Sequence, residues 1–199
     1  MSENPAIALL DGPPINENGP ANPAERHAQA VAGAIRAGCR EARITFLPVF
    51  TSGLSTSVSR VVDALRQAAE SDARIVHCSF GLPRFDALLA DAVKALLEQE
   101  RTVVASAPAR GGPVWPAAFP DVFAVQGDAR CAPNQWSWLD LPNALLGAHP
   151  HSLTDPGISG SSIAAAHLTG LYAALPDIER NLANLQEKAA YSGRERRTR

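Results

Sequence analysis

The sequence predicts an α/β fold: one domain with a mainly parallel central sheet flanked by helices. Two observations carry this. Short apolar runs alternate with longer amphipathic segments along most of the chain, and short loops join them. At 199 residues and 46% hydrophobic content, the chain suits a single domain with a sizeable core.

Ala6 to Leu10 is an apolar run that ends at Asp11-Gly12, where Pro13 and Pro14 forbid continuation. A Pro-, Asn- and Gly-rich loop follows. From about Ala24 a helix fits, with Ala30, Val31, Ala34 and Ile35 on one face and Gly38 at its end. Ile44 to Phe50 reads as a strand, Thr51 to Thr56 as a polar loop, and Ser57 to Ser71 as an amphipathic helix. Arg74 to Ser79 is a strand. Asp86 caps the next helix, whose stripe is Leu88, Leu89, Ala92, Val93, Leu96 and Leu97. Thr102 to Ala107 and Val122 to Val125 are further strands. Residues 128 to 157 read as irregular. A small-residue helix is expected over Ser162 to Leu175 and an amphipathic one over Ile178 to Tyr191. The domain is expected to span residues 1–191, with a frayed basic tail over 192–199. In parallel sheets, sites lie beyond the carboxyl ends of the strands. Asp11, Gly53, Gly81 and the 108–112 loop all follow strands and should share one rim.

Composition excludes several classes. No window approaches the roughly 18 consecutive apolar residues of a membrane span, and the start of the chain lacks the features of a signal peptide. Three cysteines without a CxxC pattern support neither a disulfide framework nor a zinc finger, so a reducing, cytoplasmic setting is expected. Net charge is −2; four arginines against Glu195 make the last six residues +3, which leaves −5 for the rest. No basic surface is broad enough for nucleic acid, and no Gly-rich phosphate loop follows the first strand. Cys78 reads as a buried small hydrophobe beside His77, with which it cannot pair across a strand. His149 and His151 lack the partners that would complete a metal site. Trp136 and Trp138 are open to either a groove-lining or a packing role.

Three segments carry chemistry together. Asp11 ends a strand in Ile7-Ala8-Leu9-Leu10-Asp11-Gly12. His27 opens a helix in His27-Ala28-Gln29-Ala30-Val31-Ala32-Gly33. Ser162 opens another in Ser159-Gly160-Ser161-Ser162-Ile163-Ala164-Ala165-Ala166-His167-Leu168-Thr169-Gly170. Taken singly, these are a turn aspartate, a polar helix-start residue and an N-cap. Together, in the order Asp, His, Ser, they resemble the subtilisin-like serine proteases. The last segment is similar to the family's GTSMAAPHVAG and the second to HGTHVAG. Val76-His77-Cys78-Ser79-Phe80-Gly81 resembles NMSLG, Val103-Val104-Ala105-Ser106-Ala107 resembles VVAAAGN, and Trp115-Pro116-Ala117 resembles YPA. The likeness covers about residues 5 to 176.

The resemblance implies a serine endopeptidase that needs no cofactor. Ser162 would be the nucleophile, His27 the general base and Asp11 the group that orients the imidazole. The Ser162 backbone N–H would face the oxyanion. Gly53, Leu54, Ser55, Ser79, Phe80 and Gly81 match the two edges that hold an extended peptide, and Gly160 would let a substrate carbonyl approach. One departure stands out: Ala109 occupies the place of the family's oxyanion asparagine, and the second donor is left open between Arg110 and Asn134. His167 reads as structural, and no calcium-binding carboxylate loop is evident. The Leu10-Asp11-Gly12-Pro13-Pro14 segment and the lack of an evident pro-region resemble members that process modified precursors. Their substrates include cyanobactin-type peptides and the crosslinked small subunit of quinohemoprotein amine dehydrogenase. The expected partner is therefore a peptide or protein precursor, not a nucleic acid or a membrane. The alternative, motivated by Ala109, is a catalytically weak peptide-binding module on the same fold.

Overall fold

The computed structural model of the chain describes residues 4–17 and 19–194. Its centre is an eight-stranded sheet of order β2-β1-β3-β4-β5-β7-β6-β8. The strands are β1 (Ala6–Asp11), β2 (Arg43–Pro48), β3 (Ile75–Cys78), β4 (Thr102–Ser106), β5 (Phe123–Gly127), β6 (Trp136–Leu141), β7 (Ala144–Ala148) and β8 (Tyr191–Ser192). Pairing is parallel from β2 through β7, antiparallel between β7 and β6, and parallel again between β6 and β8. The predicted α/β class with a mainly parallel sheet is the observed one.

Helices α1 (Pro23–Gly38) and α4 (Ser161–Ala174) cover one face; α2 (Val58–Glu70) and α3 (Ala87–Glu98) cover the other. Both faces being covered explains the unbroken apolar run of β1. Ile7 and Leu9 enter the α1/α4 layer, while Ala8 and Leu10 enter the α2/α3 layer, all fully buried. The expected helix starts hold. Asn22 accepts from Glu25 N–H at 3.0 Å with Pro23 as the first helical residue, Ser57 from Arg60 N–H at 3.3 Å and Asp86 from Leu89 N–H at 3.1 Å.

Three expectations are corrected. Residues 128–157 are not irregular throughout: β6 and β7 form a hairpin there. Its alternation is masked by a register shift between Trp138 and Leu141 and by Asp140 at φ 50°. The two tryptophans pack against the α1/α4 layer, and Trp136 Nε1 donates to Leu185 O at 2.7 Å. The helix expected over 178–191 is three pieces: a 3₁₀ turn (Asp177–Glu179), α5 (Leu182–Glu187) and β8. Arg180 turns its guanidinium back onto Leu175 O and Ala173 O, and Asn181 caps a fresh start by accepting from Asn184 N–H. Finally, the stretch from Ser192 does not fray at once. Ser192 pairs with Trp138, and Gly193 N–H donates to Trp138 O at 2.8 Å. The remainder of the expected tail, 195–199, lies outside the described residues. No helix among them is long and apolar enough to cross a membrane.

Candidate active site

Asp11 closes β1 and is fully buried. Gly12 lets that strand end press against the first turn of α1, since a methyl group on it would lie 2.2 Å from Ala24 O. His27 sits in the second turn of α1, between the buried Ala24 and Ala28. Its Nδ1 lies 2.9 Å from both Asp11 carboxylate oxygens. On the other side, Nε2 lies 3.0 Å from Ser162 Oγ. Asp11, His27 and Ser162 are therefore joined by two successive hydrogen bonds, although they come from three different elements.

The two helices that carry His27 and Ser162 pack closely against each other. A methyl group on Gly170 of α4 would lie 2.1 Å from Ile35 O of α1, so the two backbones touch there. Only small residues permit that approach. Ser162 is the second residue of α4; the cap is Gly160, at φ 134°, a conformation L side chains rarely adopt. Ser162 thus lies in the first turn, where its backbone N–H has no intrahelical acceptor.

The carboxylate of Asp11 is held further. Gly12 N–H donates to its Oδ1 at 2.6 Å, and Ser79 Oγ lies 2.5 Å from its Oδ2. The sequence assigned Ser79 to a substrate edge; the contact with Asp11 was not legible there. Its only signal was that β1 and β3 both end on the same rim. Arg26, next to His27, makes a second tie that was not anticipated. Its Nε and Nη2 donate to Asp155 at 2.6 and 2.8 Å, linking α1 to the loop ahead of Ser162. This pairing holds the Asp155 carboxyl below its usual range.

A cavity of about 360 Å³ opens beside the imidazole, lined by His27, Leu54, Ser55, Ser79, Phe80 and Gly81 among others. Gly53 is exposed and lies outside this lining, and Gly160 faces open space. Ala109 is exposed beyond β4 and shares a second cavity with Arg110; Asn134 is not among the residues lining that cavity.

The other histidines and Cys78 make no hydrogen bond to Asp11, His27 or Ser162, although His77 feels the charges of Asp11 and His27. His77 points toward α4, with Nδ1 2.8 Å from Thr169 Oγ1, and burial pushes it down to about 4. Cys78 points to the opposite layer, and burial pushes its thiol up to about 12, which makes it a poor nucleophile. His167 is fully buried, with Nε2 3.2 Å from His151 O. The His149 ring packs against those of His151 and His167. Among the described residues, no three His, Cys, Asp or Glu side chains are grouped to hold a metal.

No family model and no curated protein matches the sequence. Solved structures do match in fold. The chain is similar to the prenylagaramide maturation protease PagA, with a TM-score of 0.63 and 21% identity over 86% of this chain and 74% of that one. It is similar to the patellamide maturation protease PatA, with a TM-score of 0.65 and 20% identity over 89% and 79%. A cold-adapted subtilisin-like serine proteinase aligns at a TM-score of 0.66 and 20% identity, over 84% and 73%. The fold is subtilisin-like.

Proposed function

We propose that this chain is a serine endopeptidase in which Ser162 is the nucleophile, His27 the general base and Asp11 the orienting carboxylate. The observation that carries the reading is the unbroken hydrogen-bond path from Asp11 through His27 to Ser162. A serine hydroxyl attacks poorly until a base takes its proton. Here His27 Nε2 is within reach of that proton, and Asp11 keeps Nδ1 protonated so that Nε2 can accept it. Ser162 Oγ bonds to the scissile carbonyl carbon as its proton passes to Nε2. The same proton then goes to the departing amine. Water, deprotonated by His27, then attacks the acyl carbon; the bond to Ser162 Oγ breaks, the proton on Nε2 returns to that oxygen, and the acid leaves.

The developing oxyanion has the Ser162 N–H as a donor. Ala109 offers no side-chain donor where the family has asparagine, and one such donor contributes about 2.7–4 kcal/mol to the transition state. Slow turnover follows unless another group supplies the second donor. It suits an enzyme with one dedicated substrate better than one that degrades many.

The substrate class is a modified precursor peptide from which a leader is removed, inside the cytoplasm. The names of PagA and PatA as maturation proteases favour this class. The narrowest form rests on the Leu10–Pro14 segment: leader removal from the crosslinked small subunit of quinohemoprotein amine dehydrogenase. Ala109 favours a second reading, a peptide-binding module with little or no turnover.

A fluorophosphonate probe separates the two. Labelling that disappears in Ser162→Ala supports the endopeptidase; absence of Ser162-dependent labelling in a folded protein rejects it. Candidate precursors, with and without their modification, then test the substrate class. Cleavage of casein at a rate matching the best precursor would contradict it.

A further inference from the structure

Beyond the carboxyl ends of β4 and β5 lies a cavity of about 500 Å³, distinct from the one beside His27. Ala109, Arg110, Gln126, Asp128, Arg130 and Arg194 line it. Three arginines and one aspartate therefore line one cavity, in a chain whose first 193 residues carry net negative charge. That carboxylate is already engaged. Asp128 is buried, with Oδ2 2.7 Å from Arg130 Nη2 and 2.6 Å from Ser137 Oγ. Arg130 also donates to Gly193 O at 2.8 Å and lies over the Tyr191 ring, 5.1 Å from its centroid. These contacts clamp the stretch ahead of Arg194 and carry that residue to the cavity wall. Among the described residues, Arg110 and Arg194 form no ion pair, and both are exposed.

The cavity is connected to the triad. Gly160, two residues before Ser162, donates its N–H to Pro150 O at 2.8 Å. Pro150 in turn packs on Gly127 in the cavity wall, where a methyl group would meet Pro150 Cβ at 3.0 Å. Along the rim, β5 is two strand positions from β3, whose end bears Ser79. That is about 10 Å, or about three residues of extended peptide.

We propose that this cavity recognises a carboxylate on the peptide substrate, from an acidic side chain or a free C-terminus, with Arg110 and Arg194 as its ligands. Calling the ligand a substrate rests on the endopeptidase reading. The chemistry does not: guanidinium forks match carboxylates in shape and charge, and amides lack the charge.

The test uses binding, so that it survives failure of catalysis. Fluorescein-labelled octapeptides of Ala and Gly, with one Glu or Gln at each position in turn, are titrated against the Ser162→Ala protein by anisotropy at low salt. Free and amidated C-termini distinguish the two carboxylate sources. At one or more positions the acid should bind about tenfold tighter than its amide. Arg110→Gln and Arg194→Gln should each reduce that preference, and together abolish it, with thermal melts showing both variants folded. A preference confined to free C-termini assigns the cavity to a terminal carboxylate. No acid-over-amide preference in any pair, or one that survives in the double variant, overturns the proposal. Fluorophosphonate labelling of the wild type reports separately on the endopeptidase reading.

Discussion

Ser79 Oγ lies 2.5 Å from Asp11 Oδ2, so the residue after β3 holds the carboxylate that ends β1. The two are 68 positions apart in the chain, and both are buried. A buried carboxylate needs its lone pairs satisfied. Gly12 N–H, Ser79 Oγ and His27 Nδ1 together do this. The imidazole is thus oriented by a carboxylate that is itself fixed.

Ser79→Ala should therefore act through Asp11. Losing a hydrogen bond to a buried charge costs about 1.5–3 kcal/mol, read as a lower urea midpoint. Hydrolysis of a cleaved precursor should slow mainly in kcat. A rise in KM alone would instead indicate that Ser79 matters only as a peptide edge.

On the proposed reading, in which Ala109 stands where the resembled family has its asparagine, Ala109→Asn should supply a side-chain donor to the oxyanion. With one donor contributing about 10²–10³ in kcat, the variant should turn over a good precursor about a hundredfold faster. An unchanged rate would mean that another group already supplies the second donor.

Gly170→Ala places a methyl group against Ile35 O, a backbone atom that cannot rotate away. The helices α1 and α4 must separate. Overpacking of this kind costs about 1–3 kcal/mol. Because His27 and Ser162 ride on these two helices, fluorophosphonate labelling should fall even at temperatures where circular dichroism shows a folded protein. Labelling at the wild-type rate would show that helix separation at Gly170 leaves the His27–Ser162 bond intact.

The buried His77 predicts acid sensitivity. Its folded pKa, about 4, lies below the ordinary 6.5, so between those values the unfolded chain binds more protons. Stability is then full above about pH 6.5 and is lost as pH falls toward 4, by about 3 kcal/mol. In His77→Gln the urea midpoint should depend less on pH over this window. The remaining slope should include the share from His167, which burial lowers in the same direction. An unchanged slope would assign the acid sensitivity elsewhere.

The elements with strong local signals were legible in the sequence. The apolar run of β1, the capped helices α1, α2 and α3 and the small-residue helix α4 appear where periodicity and capping residues put them. The neighbourhoods of Asp11, His27 and Ser162 were recognisable too: Asp11 closes β1 and Ser162 lies in the first turn of α4, whereas His27 lies one turn inside α1 and not at its opening. The β6–β7 hairpin was not legible, since a bulge and an unusual φ at Asp140 break its alternation. Nor was β8, whose two residues acquire a strand conformation only by pairing with β6.

Local pattern determined most of the segments that fold into strands and helices, and the chain order of Asp11, His27 and Ser162. Only the tertiary structure decided their distances. The contact of Gly170 with Ile35, the grip of Ser79 on Asp11 and the shared cavity wall of Arg110 and Arg194 join residues far apart in the chain. No periodicity encodes such pairs, because they arise when packed faces meet and sequence pattern records only the face each residue belongs to.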